Sequence, residues 1–157
     1  MRYVRFIADG RLHAGYADED RLIDESGRAH RQDAVVWLPP VTPTKVIGLV
    51  LNYAEHAKEL GLETPKDPVL FFKPLTSLIG HRAPIVYPTG VKQLHYEVEL
   101  GVVIGRRCRN VKAEQARDVI RGYTVANDVT ARDFITNYFR PPVKAKGFDT
   151  FGPLGPW

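Results

Sequence analysis

Cysteine is nearly missing from this chain, a single Cys108 among 157 residues. One thiol cannot close an internal disulfide, which fits a reduced, cytoplasmic setting. Arg106, Arg107 and Arg109 flank it and would favour the thiolate, but no base partner is evident, so an incidental thiol is expected. Long apolar runs are absent too. No segment is long enough to cross a bilayer, and the opening MRYVRFIADG has no extended apolar core of the signal-peptide kind, so a membrane-embedded protein is not expected. Blocks of like charge are also lacking: 22 basic residues are scattered among 18 acidic ones, for a formal charge of +4. Without a basic stripe interleaved with aromatics, nucleic acid is not an expected partner. The mild positive excess suits attraction of a small di- or tricarboxylate. No internal repeat or low-complexity stretch is present. At 44% hydrophobic and 25% charged residues, the composition is that of an ordinary globular chain with a sizeable core.

Along the chain, two textures follow one another. Residues 1–44 read as a small N-terminal β subdomain. Val4, Phe6 and Ala8 alternate with Tyr3, Arg5 and Ile7, Asp9-Gly10 makes a hairpin turn, and Leu12 to Tyr16 pairs back. Pro39-Pro40 and Pro43 form a stiff connection. From Lys45 to Trp157 the main body begins. Val46–Leu51 reads as a buried strand, followed by a short helix from Asn52, a plausible N-cap, to the stop at Gly61. Further strands are expected at Val69–Phe72, at Ile85–Tyr87 and through Leu94–Ile104, with Ile79-Gly80 as a turn. A second helix is expected at Ala113–Ile120, ended by Gly122.

Three acidic residues stand out against this background. Glu97 and Glu99 lie at alternate positions of a β-branched segment, so both carboxylates face one side of a strand. Asp128 closes the apolar segment Tyr123–Asp128, where a strand end can bring it to the same pocket. Such an E-x-E pair is ordinarily the wet face of a half-exposed strand, and an isolated Asp is ordinarily a turn residue. Together the three make an oxygen-only donor set, which favours Mg²⁺, Mn²⁺ or Ca²⁺ over zinc.

Five motifs in order tip the balance: GLVLNYAEH (48–56), VLFFKP (69–74), HYEVELGVVIG (95–105), GYTVANDVTARD (122–133) and KAKGFDTFGPLGPW (144–157). By them the chain from Lys45 onward resembles the fumarylacetoacetate hydrolase family, cytosolic metal-dependent enzymes of 2-oxo and 2-hydroxy-dienoic acids. The resemblance implies an α+β fold, a β-rich mixed roll with few helices, and usually a homodimer. It implies that Glu97, Glu99 and Asp128 bind Mg²⁺ or Mn²⁺, and that His56 and Glu59 form a catalytic pair on a helix. At i and i+3 these two share a face, where the carboxylate would raise the basicity of the imidazole. Lys146 matches a lysine that holds substrate oxygens, although Gly147 stands where a serine is common. Lys73 and Arg132 are weaker positions, with ion pairing or loop bracing as the plain alternative. Tyr138, Phe139 and Trp157 could serve an interface or pack within the domain.

An enolate stabilised beside a metal serves isomerisation, decarboxylation and hydrolytic C–C cleavage alike. The segment Thr136–Lys144 resembles the branch that isomerises 2-hydroxyhepta-2,4-diene-1,7-dioate and decarboxylates its precursor in aromatic catabolism. Residues 148–157 resemble acylpyruvases. The expectation is an isomerase/decarboxylase of a small 2-oxo or 2-hydroxy-dienoic acid, with acylpyruvate or fumarylpyruvate hydrolase as the alternative. Family members continue past the PLGPW motif, so the C-terminal part of the roll is expected to lie beyond this chain. An inactive metal-binding fragment or assembly subunit is the non-enzyme alternative.

Overall fold

The computed structural model describes residues 2–137 and 140–156, with the backbone but not the side chain of His56. Tyr138, Phe139 and Trp157 lie outside the described residues.

Alternation builds the first sheet. Strands β1 (Arg2–Ala8), β2 (Arg11–Asp18), β3 (Arg21–Asp24), β4 (Ala29–Arg31) and β5 (Val36–Leu38) form an antiparallel sheet in the order β4-β3-β2-β1-β5. Asp9 and Gly10 turn the first hairpin with φ of 50° and 70°, the left-handed pair that a tight two-residue turn requires. Val4, Phe6 and Ala8 project to one face and pack with Leu22 and Trp37 into a small core. This sheet rests on the remainder through Trp37, whose ring meets that of His81 edge-on at 4.9 Å.

The rest is a set of short strand pairs: β6 (Val46–Leu49) with β7 (Leu70–Lys73), then β8 (Leu78–Ile79), β9 (Leu94–His95), β10 (Val98–Ile104), β11 (Ile120–Asn127), β12 (Thr130–Ala131) and β13 (Gly152–Pro153). Among the described residues these strands pair antiparallel except β8 with β13, which is parallel, so the sheets are mixed. A second core gathers Val91, Val129, Ala131 and Phe151, with Phe134 and Phe148 against it. Among the described residues helix is scarce: α1 (Ala54–Glu59), α2 (Val143–Lys146) and three 3-10 turns at Leu75–Ser77, Ala113–Val119 and Arg132–Phe134. Among the described residues no helix is long and apolar enough to cross a membrane. The expected β-rich mixed architecture is what the chain adopts.

Five local expectations are corrected. The strand expected at Val46–Leu51 ends at Leu49 and is half-exposed rather than buried, with Ile47 and Leu49 open. Ile79 lies in β8 rather than in a turn with Gly80. Helix α1 starts at Ala54, and the carbonyl of Tyr53, not of Asn52, accepts its first bond, from Ala57 N–H at 3.1 Å. Tyr53 therefore holds the N-cap position. The stop at Gly61 does occur: at φ 65° it closes a Schellman motif, with Gly61 N–H to Lys58 C=O and Leu62 N–H to Ala57 C=O. Residues 113–119 form a 3-10 turn rather than an α-helix, and Gly122 lies inside β11 rather than ending a helix. Here tertiary pairing overrides local propensity, because Ile120 is captured opposite Ile104 and the register then slips by one residue to place Gly122 opposite Val103. Ile85–Tyr87 is not a strand. It sits between Pro84 and Pro88, and its recorded backbone bond runs from Val86 N–H to the Thr150 hydroxyl.

Candidate metal and substrate site

The site grows from one interrupted hairpin. Thr130 pairs with His95 and Asn127 pairs with Val98 in a single register, which places Glu97 directly opposite Asp128 at the break between the two strand pairs. The break is bridged by Asp128 N–H to Glu97 C=O at 2.9 Å and by Glu97 N–H to the Asn127 side-chain oxygen at 3.0 Å. Glu99, two residues along β10, falls on the same side by simple alternation. One oxygen from each of the three carboxylates lies within 4.8 Å of the others. Their face of β10 is the partly buried one. The opposite face carries Val98, Leu100, Val102 and Ile104, and Val98 is 67% exposed. The acids are therefore not the wet side of the strand.

Acidic side chains directly opposed across a hairpin repel one another, and three cations answer them. Lys146, at the end of α2, donates to Glu97 Oε2 (2.8 Å), to Asp128 Oδ2 and to Thr130 Oγ1 (2.7 Å). Those three bonds use every N–H of an ammonium group. Lys73, at the end of β7, donates to Asp128 Oδ1 (2.7 Å) and to the carbonyl of Lys146 (2.6 Å). Burial lowers its pKa, an effect the Asp128 carboxylate opposes. Arg132 donates to Glu97 Oε1 at 2.6 Å and reaches His95 at 3.3 Å. Lys73 and Arg132, secondary in the sequence, are thus central to the geometry as ion-pair partners. The signal for Lys73 was available in outline, since a lysine closing an apolar strand must find a carboxylate or stay in water. Thr130 carried no comparable signal. Gly147 also has a local reason: a Cβ there would come within 2.4 Å of the Val143 carbonyl.

Glu99 makes no ion pair among the described residues, and Lys146 and Lys73 offset only part of what acts on it. Burial, and next the nearby Asp128 carboxylate, push its pKa up to about 7. This is the electrostatic signature of a donor set that can take one more cation, and oxygen-only carboxylates fit a hard divalent ion. Mg²⁺ or Mn²⁺ therefore fits Glu97, Glu99 and Asp128. Because an ion needs Glu99 as carboxylate, binding releases a proton below pH 7. Mn²⁺ affinity measured by calorimetry is expected to be about tenfold weaker at pH 6 than at pH 8, and equal affinities would remove Glu99 from the site.

The pocket that the three carboxylates line is also lined by Asn52, Tyr53, Phe71, Arg132, Asn137 and Arg140. It combines apolar walls with cationic and amide groups, as a small dicarboxylate requires. Helix α1 begins next to Tyr53. The His56 side chain lies outside the described residues, and Glu59 is exposed, so the expected catalytic pair stays a reading of the sequence.

Comparison with known proteins gives the family of the chain. Residues 45–157 match the family model described as fumarylacetoacetate (FAA) hydrolase C-terminal. A protein of Archaeoglobus fulgidus is 46% identical over 98% of this chain, which spans 61% of that protein. A 4-hydroxyphenylacetate degradation bifunctional isomerase/decarboxylase of Salmonella dublin is 41% identical over 98% of the chain, which spans 34% of it. The crystal structure of a 5-carboxymethyl-2-hydroxymuconate delta-isomerase from Mycobacterium smegmatis superposes with a TM-score of 0.81 at 39% identity, over all of this chain and 65% of that one. The chain thus spans under two thirds of the length of each of these three relatives.

Proposed function

Because this chain belongs to the fumarylacetoacetate hydrolase C-terminal family, we propose that it supplies the metal and substrate site of a divalent-metal-dependent isomerase/decarboxylase. The substrates are 2-hydroxy-dienoic or 2-oxo di- and tricarboxylic acids. The observation that carries this reading is the facing of Glu97 and Asp128, with Glu99 beside them, beneath a pocket lined by Arg132 and Arg140. The names of the Salmonella and Mycobacterium relatives support the isomerase/decarboxylase branch.

Glu97, Glu99 and Asp128 would hold Mg²⁺ or Mn²⁺, which when bound supplies Lewis-acid polarisation of the substrate's 2-oxygen. The protein's own groups do the rest. Arg140 meets a substrate carboxylate at the pocket rim, and Phe71 and Tyr53 shield the reacting carbons from water. Lys146 steadies developing negative charge by exchanging one of its three protein oxygens for a substrate oxygen. Proton transfer falls to His56, its tautomer set by Glu59, on the helix that starts at the pocket wall. The reading includes residues 1–44 as a separate β subdomain, association as a homodimer and a cytoplasmic setting, to which an exposed lone Cys108 is suited.

Turnover of 2-hydroxyhepta-2,4-diene-1,7-dioate and of an acylpyruvate, each with and without Mg²⁺, tests the proposal. Metal-dependent isomerisation of the dienoate is expected. Preferential cleavage of the acylpyruvate would assign the hydrolase reading instead, which residues 148–157 favour. Metal binding with no turnover would leave a metal-binding subunit.

A further inference from the structure

A second convergence of side chains lies far from the carboxylate hairpin, in the N-terminal sheet, and the proposed reaction makes no use of it. His13 on β2, Asp24 at the end of β3 and His30 on β4 come from three neighbouring strands. His13 is opposite Phe6 in the register, and His30 is opposite Leu22, so both imidazoles join the core side of the sheet. Asp24 Oδ2 is 2.8 Å from His30 Nε2 and 3.3 Å from His13 Nδ1, and one ligand atom from each residue lies within 4.8 Å of the others. Two ligands on a tetrahedral ion with bonds of about 2.0–2.1 Å stand about 3.3 Å apart, which is the His13 separation, while the His30 pair, now at hydrogen-bond distance, would open by about 0.5 Å.

The surroundings are built to hold that arrangement. The other oxygen, Asp24 Oδ1, accepts bonds from the backbone N–H groups of Ser26 (2.9 Å) and Arg28 (3.0 Å) and from the Ser26 hydroxyl (2.6 Å). These fix the carboxylate plane and leave Oδ2 turned to the imidazoles, as outer-sphere partners do for metal ligands. Phe6 stacks on His13 at 5.3 Å and meets His30 edge-on at 5.1 Å, which sets both rings. Side-chain exposure is 20% for His13, 5% for Asp24 and 6% for His30. A surface pocket lined by Tyr3, Arg5, His13 and Asp24 gives access and room for a water ligand. On the His13 ring it is Nδ1 that faces Asp24 Oδ2, while Nε2 is buried and has no hydrogen-bond partner among the described residues. Two imidazoles and one carboxylate suit borderline first-row ions, in contrast to the oxygen-only set of the hairpin.

We propose that His13, Asp24 and His30 form a structural site for a zinc-class divalent ion that ties β2, β3 and β4 together. The chain would then carry two metal sites of different selectivity, a hard one for chemistry and a borderline one for the sheet.

The test uses the full chain, freed of metal by a chelator and titrated with Zn²⁺ alone in excess Mg²⁺, with Co²⁺ absorption as a second readout. One zinc per chain is expected, with the strong visible bands of four-coordinate cobalt. His13→Gln, at the exposed rim of the cluster, and His30→Gln should each weaken zinc binding at least about 100-fold. Ser26→Ala should weaken it about tenfold, and Glu99→Gln should leave it in place. The proposal is overturned if the wild-type chain takes up no zinc under Mg²⁺ and shows only weak, six-coordinate cobalt bands. Retention of zinc by folded His13→Gln, or its loss in Glu99→Gln, would overturn it equally. The wild-type measurement decides the matter even where a variant does not fold.

Discussion

Glu97→Ala is expected to weaken Mn²⁺ binding by at least about 100-fold, since loss of a ligand costs no less than loss of an outer-sphere partner. Glu97 is the residue that the continuous register sets face to face with Asp128, so alanine there removes one carboxylate from the facing pair. Its loss also frees Arg132 and one N–H of Lys146, leaving a surplus of positive charge where a cation has to sit. Both effects act in the same direction. Calorimetric titration measures it, with the exposed Glu63→Gln as a control expected to match the wild type. An unchanged Mn²⁺ affinity in Glu97→Ala would mean that the three carboxylates are only the counter-charge of the lysines.

Asp128→Asn is expected to cost the metal-free chain about 3–5 kcal/mol of stability, the typical price of breaking a buried pair on one side. Asp128 receives both Lys73 and Lys146, and all three side chains are at most 10% exposed. Asparagine keeps the volume and one acceptor but no charge, so buried Lys73 loses the carboxylate it donates to and Lys146 keeps only Glu97 as a carboxylate partner. The sign of the pH dependence follows from Lys73, whose pKa burial already holds below the ordinary lysine value. A lysine depressed in the folded state is bound by fewer protons there than in the unfolded chain, so stability rises with pH. The variant's deficit should therefore shrink as pH is raised toward the lysine range. Urea unfolding at neutral and alkaline pH measures both quantities. A neutral-pH loss below about 1 kcal/mol would show that water reaches the cluster, as in an exposed pair.

Glu99 has the opposite dependence. Its pKa is raised from 4.5 to about 7, so the stability it contributes to the metal-free chain is complete below pH 4.5 and is lost as pH rises through 7. Ion binding reverses that loss, since it requires the carboxylate that the bare pocket disfavours.

The carboxylate trio was legible because it depends on two short-range rules. Alternation puts Glu97 and Glu99 on one side of a strand, and antiparallel pairing of two apolar segments brings Asp128 back to them. The first hairpin and the stop at Gly61 were legible for the same reason, since a left-handed turn and a helix terminus are decided by adjacent residues. The second helix and the strand at Ile85–Tyr87 failed where a distant partner decides the outcome: Ile120 pairs with Ile104, and Val86 bonds to Thr150.

The sequence by itself determined which residue types are present for chemistry, which face of each strand they take and which family pattern they follow, because period and turn geometry are local. Only the tertiary structure decided that Lys73, Lys146 and Arg132 pair with Glu97 and Asp128, that Glu99 is left holding its proton up to about pH 7, and that His13 and His30 meet on Asp24. These are consequences of long-range contact and of charge brought out of water, and neither exists until the strands have packed.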